Sequence, residues 1–177
     1  MATKRTLRQN VGRIDHVAFF YSTEEALNDT REKLNTILDL AADDWEEPVD
    51  LGAPLNIRTL LCWQAGLELI CPAPGHDDDW YGAPLVAARG EGLGMVVFGV
   101  ADIDEAARRA AAIGLPVMQM LDDSRHPGGH DTVRAGLPFT MGPELEAPFR
   151  LIREGLVTPF GGTGLLLGQL EPLDLED

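Results

Sequence analysis

Positive charge is scarce in this sequence. Lys and Arg together number 14 against 29 Asp and Glu, which leaves a net charge of −15 at pH 7. Binding to a phosphate backbone or to an anionic membrane surface needs clustered Lys and Arg. The composition therefore argues against nucleic acid and membranes as partners. The acidity would suit a cationic ligand, but solubility through self-repulsion is the simpler explanation.

Long apolar runs and cysteines are also few. No stretch approaches the roughly 18 apolar residues of a membrane-spanning helix, and the polar residues 1–10 contain no apolar core for a signal peptide. The cysteines are Cys62 and Cys71 alone. If the chain turns near Ala65 and Gly66, these two residues do not lie opposite one another on the resulting hairpin. We therefore expect free thiols and a cytoplasmic protein, since the cytoplasm keeps thiols reduced.

The most informative stretch that is present is the apolar segment 13–21. Its Ile, Val, Phe and Tyr residues are typical of a β-strand with a buried face. Side chains alternate along a strand, so His16 shares one face with Ile14, Ala18 and Phe20. A histidine among apolar neighbours is either a hydrogen-bonded core residue or a site residue, and the strand alone favours the core residue.

A helix, a hairpin and a linker follow this strand. A capping box, Ser22-Thr23-Glu24-Glu25, begins a helix whose apolar residues recur at near-helical spacing. The next apolar segments, 57–63 and 67–71, flank a turn and predict a hairpin. Residues 72–92 are rich in Pro, Gly and Asp, which predicts a linker with one helical turn near 84–88.

The pattern then restarts. An apolar strand at 93–100 precedes a second capping box, Asp102-Ile103-Asp104-Glu105, and a helix that ends before Gly114. Further strands are predicted at 115–121, 132–141 and 149–153, with a polar loop at 122–131.

An internal repeat relates the two series of elements. Segment 14–19 lies over 93–98, and Leu67-Glu68-Leu69-Ile70 lies over Phe149-Arg150-Leu151-Ile152. The sequence thus predicts two homologous modules, 11–72 and 93–156, joined by a linker at 73–92. The remaining residues, 157–177, are Gly-rich and then acidic. Leu165-Leu166-Leu167 in this tail would cover a sheet edge or a dimer contact, and the rest of the tail is expected to be mobile.

These features together resemble the vicinal oxygen chelate superfamily, which includes glyoxalase I, methylmalonyl-CoA epimerase, extradiol dioxygenases and the bleomycin-resistance proteins. The resemblance covers roughly 13–154 and rests on four features: Ile14-Asp15-His16-Val17-Ala18-Phe19, Leu67-Glu68-Leu69-Ile70, the helix opening at Asp102, and the repeat. No single one of these motifs is specific, and the resemblance depends on their order and spacing together. The resemblance implies an α+β fold in which two tandem βαβββ modules form a cup-shaped mixed sheet with helices outside.

The resemblance also implies where a metal would bind. In that superfamily a divalent metal sits on one ligand from the first strand and one from the last strand of each module. The corresponding residues are His16 and Glu68 in the first module and Met95 and Arg150 in the second. A thioether is a soft ligand and a guanidinium stays protonated, so we expect an incomplete or absent metal site. His126 and His130 in the polar loop are possible replacement ligands, although an exposed polar loop is the simpler interpretation.

Without the usual metal, the same positions suggest proton-transfer chemistry. Arg150 would hold a substrate carboxylate or an enolate oxygen, and His16 would act as general base or acid, with Glu68 orienting it or moving the proton itself. The leading hypothesis is proton transfer next to a carbonyl, of isomerase, epimerase or lyase type. The expected substrate contacts are Met95, Arg150, Trp63 and Phe20. A Glu68–Arg150 ion pair that merely fills the cup is the structural alternative.

A binding protein is the competing hypothesis. Metal-free members of the superfamily sequester antibiotics in a dimer cleft, and the resemblance implies a small-molecule ligand and a homodimer here as well. Candidate stacking surfaces are Trp45, Trp63, Trp80 and Tyr81, although each also fits ordinary packing. A cationic drug as ligand would favour sequestration, whereas an anionic 2-oxo or acyl compound that contacts Arg150 would favour an enzyme.

Overall fold

A computed structural model describes residues 11–46, 48–53, 55–124, 149–160 and 163–172. The chain divides into two compact units. The first unit is His16–Met95, and the second is Val96–Asp177 together with Met1–Asp15. Among the described residues, no helix is long and apolar enough to cross a membrane.

The elements from residue 14 to residue 124 follow the order that the sequence predicts. The first unit holds most of β1 (Ile14–Phe20), then α1 (Glu24–Leu38), a 3-10 turn (Ala42–Asp44), β2 (Val49–Leu51), β3 (Ile57–Cys62), β4 (Leu67–Pro72) and α2 (Ala83–Arg89). The second unit holds the end of β5 (Gly92–Gly99), then α3 (Ile103–Ala112), β6 (Val117–Ser124), β7 (Phe149–Phe160) and β8 (Thr163–Pro172). The α+β class, with a mixed sheet of tandem βαβββ modules, is confirmed.

In the first unit the hydrogen-bonded strand order is β2-β3-β4-β1. Strands β3 and β4 form an antiparallel hairpin, and β1 joins β4 in parallel, with Ala18 opposite Glu68 and Phe20 opposite Ile70. Paired residues point to the same side of a sheet. One side therefore carries His16, Ala18, Phe20, Glu68 and Ile70, and we call it the His16 face.

Helix α1 covers the other side of this sheet. Thr23 is its N-cap and accepts a hydrogen bond from the Ala26 amide at 3.1 Å, one residue later than the predicted Ser22 cap. Leu27, which is 2% exposed, packs into a cluster with Leu60 and Leu69. Burying this apolar stripe is what holds α1 on the sheet, because isolated helices of this length are marginal in water.

The segment predicted as a linker packs on the His16 face of the first unit. Trp80 is 5% exposed and stacks on Phe20 with a centroid distance of 6.2 Å. The Tyr81 amide donates to the Leu55 carbonyl at 2.8 Å, and α2 follows with a proline in its first turn. Residues 73–91 therefore contribute to the core of this unit as well as connecting two strands.

In the second unit the strand order is β5-β8-β7-β6. Asp102 caps α3 by accepting from the Glu105 amide at 3.0 Å, and Ile103 is fully buried. Strands β7 and β8 form a long antiparallel hairpin in which Val157 lies opposite Leu165 and Leu156 opposite Leu166.

This hairpin differs from the sequence prediction. Residues from 157 onward are predicted as a tail, whereas β7 continues to Phe160 and β8 occupies Thr163–Pro172. Val157 and Leu170 are 1% and 2% exposed, so both residues lie in the core, and Leu165, Leu166 and Leu167 are half-buried. Gly161-Gly162 between two apolar runs is a hairpin signal that the Gly-rich, acidic composition of the segment obscures. The predicted strand 132–141 lies outside the described residues.

Candidate active site

His16 lies in β1 with its side chain almost fully buried. The residue is 2% exposed. The Trp63 ring meets it edge to face, with centroids 5.6 Å apart and an interplanar angle of 86°. Its Nε2 lies 3.6 Å from Glu68 Oε2, which is an electrostatic contact and too long for a hydrogen bond.

Glu68, in β4, lies beside His16, and Thr59 contacts its carboxylate from the other side. Thr59 Oγ1 donates to Glu68 Oε1 at 2.8 Å. Thr59 is opposite Ile70 and Leu61 is opposite Glu68, so Thr59 and Glu68 are diagonal neighbours on the His16 face. The two carboxylate oxygens therefore have different neighbours, a hydroxyl at Oε1 and an imidazole at Oε2.

Burial separates the roles that these two groups can take. The Glu68 side chain is 18% exposed, against 2% for His16. A ligand on the His16 face can therefore reach the Glu68 carboxylate, while the imidazole lies behind it. A carboxylate that reaches a ligand can accept a proton and return it, and an adjacent imidazole can orient that carboxylate.

Of the two predicted second-module ligands, Met95 lies in the first strand of its module, as the resemblance implies, and Arg150 lies in a different strand from the one implied. Arg150 is in β7, the third strand of its module, and the last strand is β8. The predicted equivalence of Arg150 with Glu68 is therefore wrong. The similarity of Phe149-Arg150-Leu151-Ile152 to Leu67-Glu68-Leu69-Ile70 led to the wrong strand, because short apolar runs resemble one another.

The backbone hydrogen bonds identify the true counterpart of Glu68. Tyr21, the first residue after β1, donates to the Ile70 carbonyl at 2.8 Å, and Val100, the first residue after β5, donates to the Gly168 carbonyl at 2.8 Å. Ile70 and Gly168 are thus equivalent. Glu68 lies two residues before Ile70, and Leu166 lies two residues before Gly168. Leu166 therefore occupies the position of Glu68.

The donor set does not fit a metal centre of the kind that the resemblance implies. Met95 is half-buried and packs against the apolar cluster of Ala18, Phe20, Ile57, Ile70 and Trp80. Leu166 offers no ligand atom, and a thioether suits hard cations poorly. In the part of the chain that the structure describes, no three His, Cys, Asp or Glu residues lie close enough together to hold an ion. His126 and His130 lie outside that part.

The other predicted contacts divide between core and site. Phe20 is 1% exposed beneath Trp80, and Trp45 is 8% exposed in the cluster under α1. Trp63 stays half-buried beside His16. Sequence reasoning missed Thr59, because only the register of β3 on β4 shows that it faces Glu68. The predicted free thiols are confirmed in both cysteines.

The chain is similar in fold to several solved structures, while no protein-family model and no curated protein sequence matches it. Methylmalonyl-CoA epimerase from Mycobacterium tuberculosis is similar with a TM-score of 0.58, 18% identity, and coverage of 97% of this chain and 94% of that chain. A single-residue variant of methylmalonyl-CoA epimerase from Streptomyces coelicolor, in complex with 2-nitronate-propionyl-CoA, has a TM-score of 0.56, 17% identity and coverage of 90% and 94%. A hypothetical protein from Bacillus halodurans has a TM-score of 0.55, 17% identity and coverage of 93% and 97%. At these identities the likeness shows a shared fold.

Proposed function

We propose that this protein is a glyoxalase-like small-molecule enzyme of the vicinal oxygen chelate superfamily that transfers a proton at the carbon next to a carbonyl. The observation that carries the proposal is the arrangement on the His16 face. Glu68 is 18% exposed there, with His16 Nε2 3.6 Å behind its Oε2. The fold shared with two methylmalonyl-CoA epimerases supports an epimerase over a sequestration protein.

The proposed reaction begins with the Glu68 carboxylate. One of its oxygens takes the proton from the carbon next to the carbonyl, and the electron pair of the broken C–H bond moves to the carbonyl oxygen as an enolate. If the enolate turns over before the proton returns, Glu68 protonates the opposite side of the same carbon and gives an epimer. Return of the proton to a neighbouring atom gives an isomer. The imidazole of His16, next to the carboxylate, orients it.

The proposed substrate class comes from the ligand of one of the similar structures. One similar structure holds 2-nitronate-propionyl-CoA. Small acyl thioesters are therefore the first class to test, and 2-oxo acids are the second.

Exchange of the substrate proton with solvent tests the proposal. In deuterated buffer, we expect the wild-type protein to exchange the proton next to the carbonyl of an acyl-CoA such as methylmalonyl-CoA or of a 2-oxo acid, followed by proton NMR. Glu68→Gln keeps the shape of the side chain but accepts no proton, so the rate should fall by about 100-fold or more. Glu32→Gln, on the exposed surface of α1, is the matched control and should keep the wild-type rate.

Two outcomes would contradict the proposal. One is a Glu68→Gln variant that exchanges as fast as the wild type. The other is a wild-type protein, shown to be folded, that exchanges neither compound class.

A further inference from the structure

We propose that Thr59 is a positioning residue that fixes the Glu68 carboxylate so that Oε2 carries the transferred proton. This inference rests on the proposed function. It starts from a difference between the two carboxylate oxygens: Oε1 accepts a hydrogen bond from Thr59 Oγ1 at 2.8 Å, and Oε2 faces His16 Nε2 at 3.6 Å.

The sheet register places Thr59 next to the Glu68 carboxylate. Thr59 lies in β3 opposite Ile70, one diagonal step from Glu68. The residue is 2% exposed, so water does not compete freely for its hydroxyl. A hydroxyl has a single hydrogen to donate, and here it donates to Oε1.

The threonine side chain is also stiff. Its β-branched carbon restricts rotation about χ1, and burial in a close-packed sheet restricts it further. A donor with a fixed direction removes rotational freedom from the carboxylate that it holds. Preorganised geometry of this kind raises a rate without tightening substrate binding, because it lowers the cost of reaching the reactive arrangement.

The consequence is a division of tasks between the two oxygens. Oε1 keeps its hydrogen bond throughout the reaction, whereas Oε2 takes the proton from the substrate and gives it back.

Two substitutions separate this role from simple packing. Thr59→Val has nearly the same shape but no hydroxyl, and Thr59→Ser keeps the hydroxyl with less apolar contact. We expect Thr59→Val to lower kcat for solvent exchange by about 10- to 100-fold with KM almost unchanged, and Thr59→Ser to restore kcat to within about threefold of the wild type. Thr36→Val, on the exposed surface of α1, is the control and should leave kcat unchanged.

A second measurement needs no turnover. In protein labelled with carbon-13 at the glutamate carboxyl groups, the Glu68 resonance should move in Thr59→Val and return in Thr59→Ser. The position of the resonance reports the hydrogen bond directly, and sharp spectra show that each variant is folded.

The outcomes distinguish this inference from the proposed function. If Glu68→Gln is inactive but Thr59→Val keeps wild-type kcat, the positioning role is wrong and the proposed function stands. If Val and Ser lower kcat equally, packing is responsible and the positioning role is again wrong. If no compound exchanges, the proposed function fails, and an unchanged Glu68 resonance in Thr59→Val would then also show that the hydroxyl does not fix the carboxylate.

Discussion

At the scale of single residues, the first unit separates groups that solvent reaches from groups that it does not. Glu68 retains partial exposure, whereas Cys62 and Cys71 are fully buried, each 0% exposed. Burial raises the pKa of Cys62, and it raises the pKa of Cys71 from 9.0 to about 11. A thiol is reactive only as the thiolate. These cysteines therefore belong to the core under α1 and are not candidates for catalysis.

The first prediction concerns these thiols. In the native protein at pH 8, alkylation of Cys62 and Cys71 should be slower than that of a free thiol by about 100-fold or more, since it requires opening of the core. Labelling followed by mass spectrometry measures the rate. A Lys33→Cys variant is the control, since the Lys33 side chain is 67% exposed, and it should react quickly at the new site.

The same burial sets a pH dependence. Unfolded Cys71 ionises near 9.0 and the folded thiol has a pKa of about 11, so the native state binds more protons between these values and loses stability as pH rises through them. The free energy of unfolding should therefore fall from pH 9 towards pH 11 more steeply in the wild type than in Cys71→Ala. Urea denaturation at each pH measures the free energy of unfolding. If it falls equally steeply with pH in the wild type and in Cys71→Ala, or if the native protein is alkylated quickly, the assignment of these thiols to the core is wrong.

At the scale of elements, two glycines allow residues 73–91, the segment before β5, to pack closely on the His16 face of the first unit. A Cβ atom at Gly94 in β5 would overlap the Phe20 ring and lie 2.6 Å from a Leu85 methyl group of α2. A Cβ at Gly82, just before α2, would overlap Trp80 and lie 2.6 Å from the same Phe20 ring. Phe20 is 1% exposed and cannot move aside. The close approach of backbone to ring at both glycines therefore fixes how α2 and Trp80 cover the sheet.

The second prediction follows from this packing. Gly94→Ala should lower the free energy of unfolding by about 1–3 kcal/mol, because overpacking a filled core forces side chains off their preferred rotamers. Gly52→Ala is the matched control: a Cβ there meets no atom within 4 Å, and its effect should stay within about 0.5 kcal/mol. Urea denaturation of both variants measures the difference. Equal stabilities would show that the segment before β5 is not packed in this way.

At the scale of the whole molecule, the net charge of −15 sets how stability depends on salt. Like charges repel more in the compact native state than in the expanded unfolded chain. Salt screens this repulsion over a Debye length of about 10 Å at 0.1 M. The expected homodimer and cytoplasmic location remain predictions at this scale.

The third prediction is that salt stabilises the protein. Raising NaCl from 50 mM to 500 mM at pH 7.5 should increase Tm by about 2–4 °C, which corresponds to about 1 kcal/mol for a chain of this size. Near the pI of about 4.5 the net charge vanishes, and the same addition should leave Tm nearly unchanged. A Tm that falls with NaCl at pH 7.5 would mean that attractive ion pairs outweigh the net repulsion.

Much of the fold was predictable because its signals are local. The capping residues of α1 and α3, the alternation along β1 and the β3–β4 hairpin each depend on a few neighbouring residues, and all lie where the sequence places them, within one residue at the α1 cap. The β7–β8 hairpin was missed because its glycines and final acidic residues resemble a tail in composition.

The sequence by itself determined the order of the elements up to β6, the existence of a repeat and the presence of His16 and Glu68 on strands β1 and β4. The tertiary structure decided how those residues meet. It buries His16 behind Glu68, brings Thr59 to the second carboxylate oxygen and places Leu166 where the sequence suggested Arg150. The physical reason is that caps and side-chain alternation are encoded within a few residues, whereas the register between strands depends on distant segments that pair only when the chain is folded.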